Sequence, residues 1–139
     1  MDSGSFTLIL VIALLIVLSA YFSATETAFS SLNKVRIKNM ASGGNKRARL
    51  VLALSEDYDR ILSTLLIGNN IVNITAASLA TIVFTFYFHE AGVTISTAAM
   101  TVLVLIFGEI SPKSMAKEAP EHFAMFAAPF LKVLTVLLY

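Results

Sequence analysis

Three long apolar stretches dominate the chain, and each is interrupted by a compact polar cluster. The stretches cover about residues 5–27, 61–88 and 93–111. A bilayer core of about 30 Å is crossed by roughly 20 helical residues, so each stretch is long enough for a membrane-spanning helix. The pattern therefore predicts an all-α membrane protein with three transmembrane helices in one domain, residues 1–139.

Composition supports this prediction. Hydrophobic residues make up 57% of the 139 residues and charged residues 14%, whereas a soluble domain carries about 25% charged residues. The lipid bilayer is thus the first predicted partner, and we expect no nucleic-acid partner. The chain contains no cysteine, which excludes disulfides, thiolate catalysis and cysteine-ligated metal sites.

The basic residues are confined to two segments. Those between the first and second spans are Lys34, Arg36, Lys38, Lys46, Arg47, Arg49 and Arg60, and those after the third span are Lys113, Lys117 and Lys132. Cytoplasmic loops of membrane proteins carry an excess of Lys and Arg. We therefore expect a multi-pass protein of the cell's inner (plasma) membrane, with the N-terminus outside and both the loop 30–58 and the C-terminus in the cytoplasm.

Two segments outside the spans carry a mixed pattern. In the loop 30–58, apolar and basic residues alternate around the glycine-rich segment 42–45. This pattern is compatible with two short amphipathic helices joined by a glycine turn, and equally with a solvated basic loop. The segment 120–139 is apolar but contains Pro129 and Lys132, which favour a juxtamembrane interfacial helix over a fourth span.

The first polar cluster lies at the end of the first span. Ser23 and Glu26 are three residues apart and share a helix face. The Ser23 hydroxyl either bonds back to its own helix or serves as an oxygen ligand. Glu26 either anchors the helix end at the interface or belongs to a polar site.

The second cluster interrupts the second span. Gly68 precedes Asn69 and Asn70, and Asn73 and Ser63 can share a stripe with Asn70. An unwound turn at Gly68 would free backbone carbonyls, which membrane proteins tolerate only beside a cavity or an ion. The alternative is that the amides form hydrogen bonds between helices.

The third cluster follows the wholly apolar run 102–107. Gly108 and Glu109 are followed by Pro112, which disfavours helix at the residue before it. A broken helix with a carboxylate at the break is a recurring way to build a transporter ion site. The alternative is an ion pair between Glu109 and Lys113.

The three clusters together offer hard oxygen ligands: hydroxyls, amides, backbone carbonyls and a carboxylate. Such ligands suit Mg²⁺, Ca²⁺, Mn²⁺ or Na⁺ rather than Zn²⁺ or Cu⁺. Because ionisable groups inside a membrane usually face a cavity or an ion path, we interpret the clusters as parts of one cation site.

The motifs 23–28, 68–73 and 108–113 resemble those of the transmembrane domain of the CorC/CNNM (cyclin M) family of Mg²⁺ transporters. The resemblance covers nearly the whole chain and implies a three-helix protomer that forms a homodimer and exports Mg²⁺ in exchange for Na⁺. By motif match, the ion site would be lined by Ser23, Asn70, the Gly108 carbonyl and Glu109. The residues next to it would be Glu26, Ser63, Asn69 and Asn73.

Family members continue into cytosolic cystathionine-β-synthase-type domains that bind ATP, and such domains would follow Tyr139. A membrane scaffold that senses Mg²⁺ without transporting it needs the same site, so it remains the alternative function. An intramembrane enzyme is disfavoured, because the pair His89-Glu90 lacks the second histidine of a zinc-protease motif at Val93. For the dimer, Ala76 and Ala80 form a small-xxx-small pair, which serves packing either between protomers or within one.

Overall fold

The structure, a computed structural model, describes residues 3–138, and within this range all the regular elements are helices. The α-helices are α1 (Ser3–Ser31), α2 (Lys34–Ser42), α3 (Lys46–Ser55), α4 (Tyr58–Phe88), α5 (Gly92–Leu103), α6 (Ser111–Glu118) and α7 (Pro120–Leu138). A 3₁₀ turn, His89–Ala91, joins α4 to α5, and a π-helical segment, Val104–Ile110, joins α5 to α6. The all-α class is therefore confirmed.

Two continuous helical runs are long and apolar enough to cross a membrane. They are Gly4–Ser31 and Tyr58–Glu118, with mean hydropathies of 2.6 and 2.0. The second run reverses direction at His89, whose φ of 53° lies in the left-handed region. The run is therefore a hairpin with α4 as one arm and α5 with the π-helical segment as the other.

The two arms of the hairpin pack closely because small residues face each other. A methyl group at Gly92 would overlap the Thr85 backbone, so only glycine permits this approach. Further along, Ala76 and Ala80 are buried in a cluster with Met100. The alanine pair therefore serves packing within the protomer, one of the two roles that the sequence left open.

The loop between the first two spans is helical, as one of the two interpretations predicted. The Asn33 side chain accepts the Arg36 N–H at 3.2 Å and caps α2, and the Asn45 side chain accepts the Ala48 N–H at 3.1 Å and caps α3. Between them, Gly44 has a φ of 99°, a conformation that favours glycine and ends α2 in a Schellman-type turn. The caps and the turn explain locally why two helices form instead of one.

The buried core lies at the end of the molecule that carries the basic residues. It combines the second half of α1 with α2, α3, the start of α4, α6 and α7. Its buried side chains include Phe22, Phe29, Ile37, Val51, Ile61 and Leu131. Towards the other end, α1, α4 and α5 expose large apolar side chains such as Leu14, Ile74 and Val93, as expected of surfaces that face lipid tails.

Helix α7 packs alongside α1, and polar and aromatic contacts join it to α1 and α2. The Tyr21 hydroxyl donates to the Ala127 carbonyl at 2.8 Å, and the Tyr21 ring meets Phe130 edge-on. At the start of α7, Arg36 of α2 forms a 3.2 Å ion pair with buried Glu121. Pro129 lies inside α7 without ending it.

The expected helix breaks are not present. Helix α4 continues without interruption through Gly68, so the prediction of an unwound turn there is wrong. The reason for the glycine is space, because a methyl group at Gly68 would lie 2.7 Å from the Phe22 ring of α1. At Gly108 and Glu109 the helix widens into π geometry and then resumes as α6, with Pro112 in the first turn.

We expect Gly92→Ala to destabilise the hairpin, because its methyl group overlaps the Thr85 backbone. Backbone atoms within a helix cannot move aside as the end of a flexible side chain can. Overpacking of this kind costs about 1–3 kcal/mol. Thermal unfolding of the detergent-solubilised protein should show a lower Tm for Gly92→Ala. Gly43→Ala is the matched control, since its methyl group meets nothing closer than 3.5 Å. Equal Tm values for the two variants would contradict the hairpin packing.

Candidate ion site

Three helical elements meet at Ser19, a fully buried residue of α1. The Ser19 hydroxyl donates to the Asn69 side-chain oxygen of α4 at 3.2 Å. The same oxygen accepts a hydrogen bond from the Asn73 amide at 3.3 Å. On the other side, a methyl group at Gly108 of the π-helical segment would lie 3.0 Å from the Ser19 hydroxyl. We call these four residues, Ser19, Asn69, Asn73 and Gly108, the polar seam.

Backbone chemistry explains why the helix widens at Gly108. The Ser111 N–H donates to the Ile106 carbonyl, five residues earlier, which is the π-helical pattern. Pro112 has no N–H, so the Gly108 carbonyl, four residues before it, lacks its α-helical donor. The Gly108 carbonyl therefore cannot make the ordinary α-helical hydrogen bond, in the segment where Gly108 approaches α1. Such π-helical interruptions frequently occur at functional sites.

The predicted ligands are distributed unevenly around the polar seam. Gly108 belongs to it, and buried Ser23 lies one turn after Ser19 on the same face of α1. Glu109 follows Gly108 directly and is half-buried. Asn70, in contrast, lies on an exposed side of α4, and the hydrogen bonds that define the seam do not include its side chain.

The residues predicted to lie next to the site divide in the same way. Asn69 and Asn73 are members of the polar seam, closer to its centre than the sequence indicated. Glu26 is exposed and Ser63 is half-buried. Sequence reasoning missed Ser19, although its spacing of four residues from Ser23 placed both hydroxyls on one helix face.

A cleft of about 250 Å³ between α1 and α4 connects Glu26 with the polar seam. Asn69 lines this cleft and also accepts the Ser19 hydrogen bond, so one side chain belongs to both. Phe22, which packs over Gly68, lines it as well. The cleft therefore leads from the exposed Glu26 carboxylate to the half-buried Asn69, which is hydrogen-bonded to buried Ser19.

All the groups in and beside the seam are hard oxygen donors or amides. Within residues 3–138 no cluster of three or more His, Cys, Asp or Glu side chains has the geometry to hold a metal ion. A cation here would therefore be held by neutral oxygens together with one carboxylate, which suits Mg²⁺ or Na⁺ and not a soft metal. The Asn69 oxygen already accepts two hydrogen bonds, so a cation can bind it only when Ser19 or Asn73 releases its hydrogen bond.

An all-helical membrane protein with a polar seam between its apolar helices is the class that this geometry defines. Comparison with known families makes the assignment specific. The family model of the cyclin M transmembrane N-terminal domain matches residues 9–139, so the chain belongs to that family.

Relatives in bacteria and plants share this region. The chain is 40% identical to a UPF0053 protein of Haemophilus influenzae over 96% of its residues, and 43% identical to the UPF0053 inner membrane protein YfjD of Escherichia coli over 87%. A chloroplastic DUF21 domain-containing protein of Arabidopsis thaliana is 36% identical over 94% of the chain. The chain spans only 32%, 28% and 20% of these three proteins, respectively.

A double-mutant cycle tests the contact between α1 and the π-helical segment. Gly108→Ala places a methyl group against the Ser19 hydroxyl and should lower the Tm. In a Ser19→Ala background that hydroxyl is absent, and the Ser19 Cβ lies 3.5 Å away, so the same glycine substitution should cost less. We expect a coupling free energy of about 0.5–3 kcal/mol.

Gly92→Ala provides the control for this cycle, because its methyl group meets Thr85, far along α4 from Asn69, and not Ser19. Its effect on the free energy of unfolding should simply add to that of Ser19→Ala. Additivity of Gly108→Ala with Ser19→Ala would contradict the seam.

Proposed function

We propose that this domain binds Mg²⁺ between its helices and exports it from the cytoplasm in exchange for Na⁺. The observation that supports the proposal is the contact of buried Ser19 with both Asn69 and Gly108. This contact gathers oxygen groups from α1, α4 and the π-helical segment at one level between apolar helices. Polar groups at such positions are costly in a bilayer and typically mark an ion path.

The proposed ligand set combines the predicted residues with the seam. In this proposed set, Ser23, the Gly108 carbonyl and Glu109 supply oxygen ligands near the position where Ser19 meets the π-helical segment, and Glu109 supplies the negative charge. Mg²⁺ takes about six oxygens at roughly 2.0–2.1 Å. For Asn70 to reach the ion, α4 must rotate or the partner protomer must cover its exposed side. The cleft beside Glu26 would then be the approach from the cytoplasm.

The proposed topology counts the two arms of the hairpin as separate crossings. With α1, this gives three spans, with the turn at His89–Ala91 and the N-terminus outside. The basic core, made of α2, α3, α6 and α7, then lies at the cytoplasmic face, where positive residues are favoured. We further propose that the protein is a homodimer and that its full-length form carries cytosolic cystathionine-β-synthase-type domains. The greater length of the relatives accommodates such domains.

Single cysteines test this topology, since the chain has none of its own. The positions Gly4, Gly43, Ala91 and Ser114 are all exposed. Ala91 is preferable to Gly92, which is packed against Thr85. In intact cells, a membrane-impermeant maleimide should label cysteines at positions 4 and 91. Cysteines at positions 43 and 114 should react only after the membrane is opened. Labelling of position 43 from outside would overturn the orientation and the direction of transport.

Variants of Glu109 test the ion site. Glu109→Gln keeps the shape and one oxygen ligand but removes the charge, so Mg²⁺ affinity should fall by about tenfold or more, the value of a charged interaction. Asn70→Ala removes a neutral ligand that water can replace, and should cost less. Lys113→Ala is the control, since a mere Glu109–Lys113 ion pair would make it as damaging as Glu109→Gln. Isothermal titration of Mg²⁺ measures the affinity of all three variants. Unchanged affinity in Glu109→Gln would contradict the proposed ion site.

Flux is the second half of this test. We expect proteoliposomes that hold a Mg²⁺-sensitive dye to show Mg²⁺ movement that depends on an opposing Na⁺ gradient and is lost in Glu109→Gln. Binding without flux would assign the domain to a Mg²⁺-sensing scaffold. Flux that ignores the Na⁺ gradient would remove the exchange from the proposal.

A further inference from the structure

A second polar cleft lies on the basic side of the molecule, where α3, α4 and α7 meet. Its volume is about 240 Å³, and it is separate from the cleft beside Glu26. Two cationic side chains line it: Arg60, in the first turn of α4, and Lys132, in the second half of α7. The Arg60 guanidinium donates to the Thr135 carbonyl at 3.3 Å, which holds it at the wall of the cleft.

The charge in this cleft is positive on balance. Asp57 is the carboxylate that lines it, and its side chain makes no capping hydrogen bond at the start of α4. The charged residues that line the cleft therefore carry two positive charges and one negative charge, which suits the cleft to an anion.

An exposed apolar surface begins directly beside the cations. Val136 lines the cleft and is 69% exposed, and Val133 and Leu137 on the same helix are 53% and 73% exposed. Arg60 stands where the basic loop gives way to the apolar length of α4, which is the headgroup level of a membrane-spanning helix. Cations next to an apolar, lipid-facing surface at this level match the two parts of a phospholipid.

We propose that this cleft binds the phosphate of an anionic phospholipid. Arg60 and Lys132 contact the phosphate, and an acyl chain lies along Val133 and Val136. A free phosphate ion offers the same charge but leaves the apolar surface uncovered, so the lipid is the occupant that uses both features. The inference does not depend on Mg²⁺ transport, because none of these residues belongs to the ion site.

The test is the thermal stability of the purified chain in a neutral detergent, titrated separately with phosphatidylglycerol, phosphatidylcholine and inorganic phosphate. Phosphatidylglycerol should raise the Tm at concentrations where the other two do not. For Lys132→Gln the concentration of phosphatidylglycerol that gives half of the shift should rise by about fivefold, the value of one basic residue near an anionic surface. Arg60→Gln should act in the same direction.

Asp57→Asn makes the test more specific, because the proposal predicts that it shifts the half-effect concentration of phosphatidylglycerol in the opposite direction. Removal of the opposing carboxylate should lower the half-effect concentration, whereas a cleft with only a structural role predicts no such gain. Lys117→Gln is the matched control, since Lys117 is an exposed lysine of α6 that does not line the cleft. It should leave the titration unchanged.

Three outcomes would overturn the proposal. A Lys117→Gln effect equal to that of Lys132→Gln would show diffuse attraction to the basic surface instead of a site. Equal stabilisation by inorganic phosphate would assign the cleft to a soluble anion. The absence of any phosphatidylglycerol-dependent shift in the unmodified chain would exclude lipid binding there. Should Arg60→Gln fail to fold, Lys132→Gln and Asp57→Asn still decide the question.

Discussion

The contact of Ser19 with Asn69 and Gly108 is the interaction on which the rest of the candidate site depends. In lipid there is no hydrophobic driving force for helices to associate, because lipid tails are as apolar as the side chains. Close packing and hydrogen bonds between helices therefore decide their arrangement. A single serine of α1 supplies both, a hydrogen bond to α4 and a close approach to the π-helical segment. The oxygen groups of three elements meet because these helices meet there.

Three glycines of the apolar helices share one role, which is to let helices approach closely and not to break them. Gly68 admits the Phe22 ring, Gly92 admits the Thr85 backbone, and Gly108 admits the Ser19 hydroxyl. In each case the missing side chain brings two helices closer than any other residue allows. The polar seam and the hairpin are both products of these close approaches.

The molecule divides into a packed basic end and a sparsely packed apolar end. At the basic end, α2, α3, α6 and α7 surround the end of α1 with a buried core, and the Arg36–Glu121 ion pair joins α2 to α7. At the other end, mostly exposed apolar side chains remain, because lipid and not protein is their solvent. The polar seam and the proposed lipid cleft involve different helix contacts, so mutations can test the two separately.

The sequence by itself determined the helical class, the apolar runs, the oxygen-rich clusters and the family. These follow from local chemistry: residue composition, residue periodicity and recognisable motifs. For the basic loop the sequence left two helices and a solvated loop equally open, and the structure shows two helices. Only the tertiary structure decided that α4 is continuous at Gly68, that Ser19 belongs to the seam while Asn70 is exposed, and that Ala76 and Ala80 pack inside the protomer. The physical reason is that periodicity shows which residues share a helix face, whereas the neighbour that the face meets is set by packing between helices distant in sequence.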